Sequence, residues 1–311
     1  MRIPRTLALG AAVLALVMSA CSPGESSSQS SAASGSPAAG GAEISIGSAG
    51  FSEAALVGEI YAQALEANGF TVDRHLELGE RPAVRAAFDA GEINLAPDYL
   101  GGLAAFLELE PAADPEAIHA DLLPALEELG QTILNFSPGT DADGFAVRQE
   151  TADELGLTTM SDLAEHAGDL VWGLATGCPE NPVCGPGLLD VYGIDISTLD
   201  VEPLPPCSTE IAQALNNDAI QVAQVCTTQA DIASFNFVVM EDDGALQPAQ
   251  NLAPVLTQEL ADAGGEDLAA ALDAVTELLT TEELINLNLS IAEQESYEDI
   301  ASQWLTDNGL K

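Results

Sequence analysis

Basic side chains are almost missing from this chain. Lysine and arginine together number 7 in 311 residues, against 50 aspartates and glutamates, for a formal net charge of −43. The one lysine is the last residue, Lys311, and Arg2 and Arg5 fall in an amino-terminal leader, so Arg74, Arg81, Arg85, Arg148 and Lys311 are all that remain. So acidic a surface repels nucleic acid and anionic lipid, which excludes both as partners. It also points to a salt-rich habitat, where mobile ions screen the self-repulsion. Histidine is equally sparse: His75, His119 and His166 are scattered and none stands at ligand spacing to a cysteine, which argues against a metal site. Past the leader no long apolar run follows, so nothing further is expected to span a membrane. There is no glycine-rich phosphate loop, no Gly-x-Ser-x-Gly elbow and no His-x-x-x-His pair. Catalytic residues, metal and cofactor are therefore all expected to be none. Aromatic residues make up only 5%, with four tyrosines: Tyr61, Tyr99, Tyr192 and Tyr297.

The amino terminus carries a processing signal. Arg2 and Arg5 precede the apolar stretch Leu7 to Val17, the pattern of a secretory signal peptide over residues 1–20. Met18-Ser19-Ala20-Cys21 then reads as a lipobox, in which Cys21 is acylated and becomes the new terminus. Residues 21–42, nearly all Ser, Gly, Ala and Pro, form a flexible tether that has too little apolar surface for a core. The expected location is extracytoplasmic, lipid-anchored to the outer face of the cytoplasmic membrane, with the anchor as the only membrane contact.

Beyond the tether, strand and helix patterns alternate. Glu43 to Gly47 has Ile44 and Ile46 on one face, and Ser52 stands where it can cap a helix whose stripe is Ala55, Leu56, Ile60, Ala64 and Leu65. Phe70 to Val72 opens a second strand and Pro82 to Ala90 a second helix. Ile93 to Ala96 reads as a buried strand that Pro97 ends, with Leu103 to Leu109 as the next helix. Such alternation predicts an α/β fold with a parallel sheet and crossover helices. Between that strand and helix stands Asp98-Tyr99-Leu100-Gly101-Gly102, at the carboxyl end of a strand, where open α/β sheets bind their ligands. Asn135 to Asp143, rich in turn formers, predicts a crossing to a second lobe, followed by strands at Gly144 to Arg148, Leu170 to Leu174 and Ile220 to Val225. Phe237 to Glu241 leads back.

The ordered series Gly47-Ser48, Phe51-Ser52-Glu53, Gly58-Glu59-Ile60-Tyr61-Ala62-Gln63-Ala64-Leu65-Glu66, Gly91-Glu92-Ile93 and Pro97-Asp98-Tyr99-Leu100-Gly101 resembles the osmoprotectant (glycine betaine/choline) substrate-binding proteins of ABC importers. The likeness continues through Pro186-Gly187-Leu188, Tyr192-Gly193, Thr227-Thr228 and Glu241-Asp242-Asp243 to Trp304-Leu305. It implies a two-lobed periplasmic-binding-protein-like fold of type II, with a ligand cleft between lobes and two crossover strands. Lobe 1 would comprise residues 43–138 plus 240–311, and lobe 2 residues 139–239. It further implies a monomer that captures a small cationic solute and delivers it to the transmembrane subunits of an ABC permease.

In that family tyrosines from both lobes hold a quaternary ammonium by cation–π attraction, because a trimethylammonium donates no hydrogen bonds. Tyr99 matches a cage position. Elsewhere the chain departs from the pattern: Asp143, Cys226 and Ala212 stand where rings are usual, and Gln229 replaces an acid. The ligand-facing set implied is Ser48, Phe51, Ser52, Asp98, Tyr99, Asp143, Phe145, Thr227, Thr228 and Gln229. With the cage incomplete, a cation without a carboxylate fits better than a betaine. A different amine or an amino-acid-like solute is the alternative, and a secreted hydrolase using paired carboxylates is a more distant one. Four cysteines follow Cys21 and allow three pairings. Cys178 and Cys184 look like the short disulfide-closed loop of actinobacterial relatives, which leaves Cys207 and Cys226 to pair.

Overall fold

A computed structural model of the protein describes residues 43–311. The expected leader, the acylated Cys21 and the tether all lie outside the described residues.

Two five-stranded sheets, each covered by helices, organise the described chain. The first is built from β1 (Glu43–Gly47), β2 (Thr71–His75), β3 (Leu95–Tyr99), β4 (Gln131–Ile133) and β10 (Leu252–Thr257), in the order β2-β1-β3-β10-β4. The second comprises β5 (Asp143–Arg148), β6 (Val171–Leu174), β7 (Asp200–Pro203), β8 (Val222–Cys226) and β9 (Phe237–Val239), in the order β7-β6-β8-β5-β9. Neither sheet is purely parallel, as the alternation had predicted. β10 runs antiparallel to β3 and β4, and β5 antiparallel to β8 and β9. These two strands are the ones entered from the segments that pass between the sheets. Each arrives from the other lobe, so no crossover helix sets its direction.

Strand alternation decides which helices each sheet carries. In the first, Leu95, Tyr99, Leu252 and Leu256 face α1 (Ser52–Ala67), α10 (Gln258–Thr276), α11 (Thr281–Ala292) and α12 (Tyr297–Asp307). Ala96, Ala253 and Val255 face the other way, onto α2 (Arg81–Ala90), α3 (Leu100–Phe106) and α4 (Pro115–Glu127). In the second sheet Phe145, Val147, Trp172 and Val222 share one core, with Ala146, Ala223 and Val225 in the other against α8 (Thr209–Asn216). Trp172 is fully enclosed, and its indole N–H donates to the Ala167 carbonyl at 3.0 Å, which satisfies its one polar atom.

Tyr61, in the middle of α1, is a core residue. Its hydroxyl donates to Thr276 Oγ1 at 2.7 Å, while Thr276 donates in turn to the Leu272 carbonyl at 2.9 Å. Tyr61→Phe removes one buried hydrogen bond and leaves no donor stranded. It should cost about 1 kcal/mol and lower Tm by roughly 2–4 °C, read by a thermal melt.

Several local expectations are corrected. Pro97 does not end its strand; β3 continues through Pro97 and Asp98 to Tyr99. Pro97 faces Pro254 in the β3–β10 ladder, and the Pro254 carbonyl accepts from Leu134 on the opposite side. The two prolines therefore meet at a position where no hydrogen bond runs between them, so the missing N–H groups cost this ladder nothing. Ser52 is not a cap: Phe51 takes that position, without a side-chain hydrogen bond. The helix expected at Leu103 to Leu109 starts at Leu100, straight off Tyr99, and ends at Phe106. Both disulfides form, Cys178–Cys184 and Cys207–Cys226.

Candidate functional site

The carboxyl end of β3, the start of α1, the helix α11, the loop after β8 and the passage that carries Asp141 converge on one chain of hydrogen bonds. Tyr99 is 6% exposed and packs with the first sheet's core, but its hydroxyl donates to Glu53 Oε1 at 2.5 Å. Glu53 sits in the first turn of α1, where the helix dipole favours an acid, and is 5% exposed. Its second oxygen accepts from Asn288 Nδ2 at 2.5 Å, and the same amide donates to the Thr228 carbonyl at 2.9 Å. Thr228 follows β8 in the second sheet, and its hydroxyl donates to Asp141 Oδ1 at 2.8 Å. Elements of both lobes are thus tied from Tyr99 to Asp141, by side chains throughout except at the Thr228 carbonyl.

The electrostatics of this chain are one-sided. Burial, with Glu53's charge second, pushes the Asp141 carboxyl up to about 7, although the Thr228 hydrogen bonds pull the other way. Burial also raises Asp143, and it raises Tyr99 well above its usual value, helped by the charges of Glu53 and Asp141. Among the described residues no basic side chain pairs with Glu53, Asp141 or Asp143. Arg74 holds Glu59 and Glu66, Arg81 holds Asp98, and Arg148 holds Glu150 and Asp218.

Beside Tyr99 lies a pocket of about 120 Å³, lined by Gly50, Phe51, Gly79, Arg81, Asp98 and Tyr99 among others. Phe51 is exposed, and its ring centroid is 5.7 Å from that of Tyr99 at an inclination of 37°. Asp98 is not available to a cation here: Arg81 pairs with it at 2.9 Å, and it accepts from the Tyr99 backbone N–H at 2.8 Å. Asp98 thereby positions Tyr99. The glycines after Tyr99 make room for protein rather than for ligand. A Cβ on Gly102 would come within 2.4 Å of Arg81 Nη2, and one on Gly101 within 2.7 Å of the Ala249 carbonyl.

Of the residues expected to face ligand, the structure brings Phe51 and Tyr99 together, and it ties Thr228 to Tyr99 through the hydrogen-bond chain. Ser48 is fully buried, its hydroxyl accepting from Glu77 N and donating to the Ala49 carbonyl. Ser52 is exposed at the helix start. Phe145 points into the second lobe's core, edge-on to Trp172 at 5.8 Å, because strand alternation puts it on the buried face. The Thr227 hydroxyl donates to the Thr140 carbonyl and accepts from Ala142 N, pinning one passage. Gln229 folds back to accept from Cys226 N at 3.2 Å. Asp143 is half-buried, with its carboxylate and the sulfurs of Cys207 and Cys226 within 4.8 Å of one another. Those sulfurs are joined as a disulfide and offer no thiolate to a metal. Tyr192 donates to Asp242 and Tyr297 to Glu77, neither in the Tyr99 chain. Sequence reasoning missed Glu53, Asp141, Asn288 and Arg81. Glu53 stood inside the quoted Phe-Ser-Glu motif, which was the one signal that could have found it.

Two mixed sheets, linked by paired passages with a polar seam between them, define a solute-binding protein of the two-lobed α/β kind. Residues 42–307 match the family described as the substrate binding domain of ABC-type glycine betaine transport systems, OpuAC, and the chain belongs to that family. It is 26% identical over 277 residues to the glycine betaine-binding protein YehZ of Escherichia coli (strain K12), covering 86% of this chain and 90% of that protein. It is likewise 26% identical over 250 residues to the carnitine transport binding protein OpuCC of Listeria monocytogenes serotype 1/2a, covering 79% and 80%. Among solved structures, that of a glycine betaine/carnitine/choline ABC transporter protein superposes with a TM-score of 0.79 at 24% identity, covering 86% of this chain and 98% of the other. Apo YehZ from Escherichia coli also gives 0.79 at 24% identity, with 87% and 100% covered. These two structures show a shared fold.

Proposed function

We propose that the protein is an extracytoplasmic, lipid-anchored solute receptor that captures a small organic cation, choline- or betaine-like or another amine, and delivers it to the transmembrane subunits of an ABC permease. Residues 43–138 with 240–311 serve as one lobe and 139–239 as the other. Ligand draws them together by bonding to both, which shifts an open–closed equilibrium toward the form that docks. Phe51, Tyr99, Glu53, Asn288, Thr228, Asp141 and Asp143 form the wall. The protein works as a monomer and meets the membrane only through acylated Cys21.

One observation supports this reading above the others: buried Glu53 and raised Asp141 belong to one interlobe hydrogen-bond chain, and neither has a basic partner among the described residues. Positive charge is what such a seam lacks. A thermal-shift screen with choline, glycine betaine, carnitine, ergothioneine and polyamines tests it, because a ligand that binds only the folded state raises Tm by mass action. At least one cation should raise Tm saturably, and the shift should shrink in Tyr99→Phe, which keeps the ring and removes the hydroxyl. Equal shifts in both proteins would take the Tyr99 hydroxyl out of the site.

A raised carboxyl beside a second carboxylate is also what a hydrolase would need. Turnover on a glycoside panel would favour that reading, and a saturable shift without turnover favours the receptor.

A further inference from the structure

The cavity beside Tyr99 carries a cationic edge that the seam lacks. Arg81 opens α2 and reaches Asp98, whose Oδ1 accepts from Nε at 3.0 Å and pairs with Nη2 at 2.9 Å. Nη1 is left without a hydrogen-bond partner among the described residues. The pair is unevenly covered: 28% of the Arg81 side chain is exposed, against 9% for Asp98. Asp98 is also taken by the Tyr99 backbone N–H, so a solute entering the cavity meets the guanidinium rather than the acid.

Two features hold the guanidinium in place. Asp98 fixes it from one edge, and Gly102 leaves it room, because a Cβ there would come within 2.9 Å of Arg81 Cζ. A fork fixed in this way loses little freedom when it takes an anionic oxygen. Glu80, the other acid on the wall, is exposed, so water and salt screen it. The exposed ring of Phe51 lines the same cavity of about 120 Å³. Ring and guanidinium together offer one small solute a place for a cationic group and a place for an anionic one, a few bonds apart.

We propose that Arg81 is a specificity-determining residue of the cleft: its free N–H edge receives the carboxylate of a small zwitterion whose ammonium rests on Phe51. The inference rests on the receptor reading above and narrows it to solutes that carry both charges. A guanidinium donating to a carboxylate makes a short, charge-assisted hydrogen bond. Glycine betaine and choline share the trimethylammonium, and the hydroxyl of choline takes only a weaker bond from the same edge.

Calorimetric titration of native protein and Arg81→Gln with glycine betaine and with choline tests this. The native protein should bind betaine more tightly than choline. Arg81→Gln should weaken betaine by roughly tenfold or more and choline far less. Should that variant fail to fold, Arg81→Lys keeps a charge beside Asp98 without the planar fork, and it should show the same selective loss in smaller measure. Equal losses for the two solutes would make Arg81 only a support for Asp98 and Tyr99. That result, or native protein preferring choline, would overturn the proposal and leave the receptor reading standing. Binding of neither solute would also overturn it, and the receptor reading falls too only if every cation of the thermal-shift screen leaves Tm unmoved.

Discussion

Asp141→Asn should stabilise the protein most above neutral pH, less at pH 5, and hardly at all below about pH 4. In the folded chain burial, with Glu53's charge second, holds the Asp141 proton until about pH 7, whereas the ordinary value for an aspartate is 3.8. Between those limits the native state binds a proton that the unfolded chain has lost. Stability therefore falls as pH rises from about 4 to about 7 and levels off above. The loss is at most about 4 kcal/mol, and water reaching a carboxyl that is only partly enclosed brings it to about half that. Asparagine keeps the acceptor for the Thr228 hydroxyl and carries no charge, so it imitates the protonated acid at every pH. Denaturant melts of native and Asp141→Asn protein at pH 5 and pH 8 give the comparison. Parallel curves, with the variant no more stable at pH 8 than at pH 5, would mean that Asp141 ionises normally. The same linkage bears on ligand. A bound cation lets Asp141 ionise, so a proton is released and affinity should rise between about pH 6 and pH 8.

Adding salt should stabilise the fold strongly. The chain carries a formal charge of −43, and its few arginines neutralise only Glu59, Glu66, Asp98, Glu150 and Asp218 by direct pairing in the described residues. The other acids repel one another across the surface, and folding concentrates them. Screening shortens the reach of that repulsion from about 10 Å at 0.1 M to about 3 Å at 1 M. We expect Tm to rise by at least ~5 °C, or roughly 2 kcal/mol, between dilute buffer and molar sodium chloride. The other direction is expected of a protein held mainly by exposed ion pairs, where salt weakens the attraction. A Tm that stays level or falls would remove self-repulsion as the dominant surface term.

Much of the framework was legible because hydrophobic alternation and turn residues announce it. The strand at Ile44 and Ile46 and the apolar stripe of α1 fall where periodicity puts them. Two of the edge strands were not legible. β4 is three residues long, and β7 reads Asp-Val-Glu-Pro, so neither presents an apolar run. Pro97 misled because a proline can sit in a central strand when its missing N–H faces away from the neighbouring ladder, and pairing is invisible before folding. The site was harder still. Tyr99 was found by its motif, but Phe145 was misplaced for want of attention to alternation, and Ser48 and Thr227 proved to serve the backbone. Among fifty acids only its place in the Phe-Ser-Glu motif marks Glu53, and nothing local marks Asp141; what sets Asp141 apart is burial and Glu53's charge, which arise only in the folded chain.

The most direct test of the central claim is a paired calorimetric titration of native protein and Glu53→Gln with ethanolamine and choline. The account predicts saturable binding of at least one cation by the native protein, weakened by roughly tenfold or more in the variant. Identical isotherms for the two proteins, or no heat of binding from either cation, would contradict it.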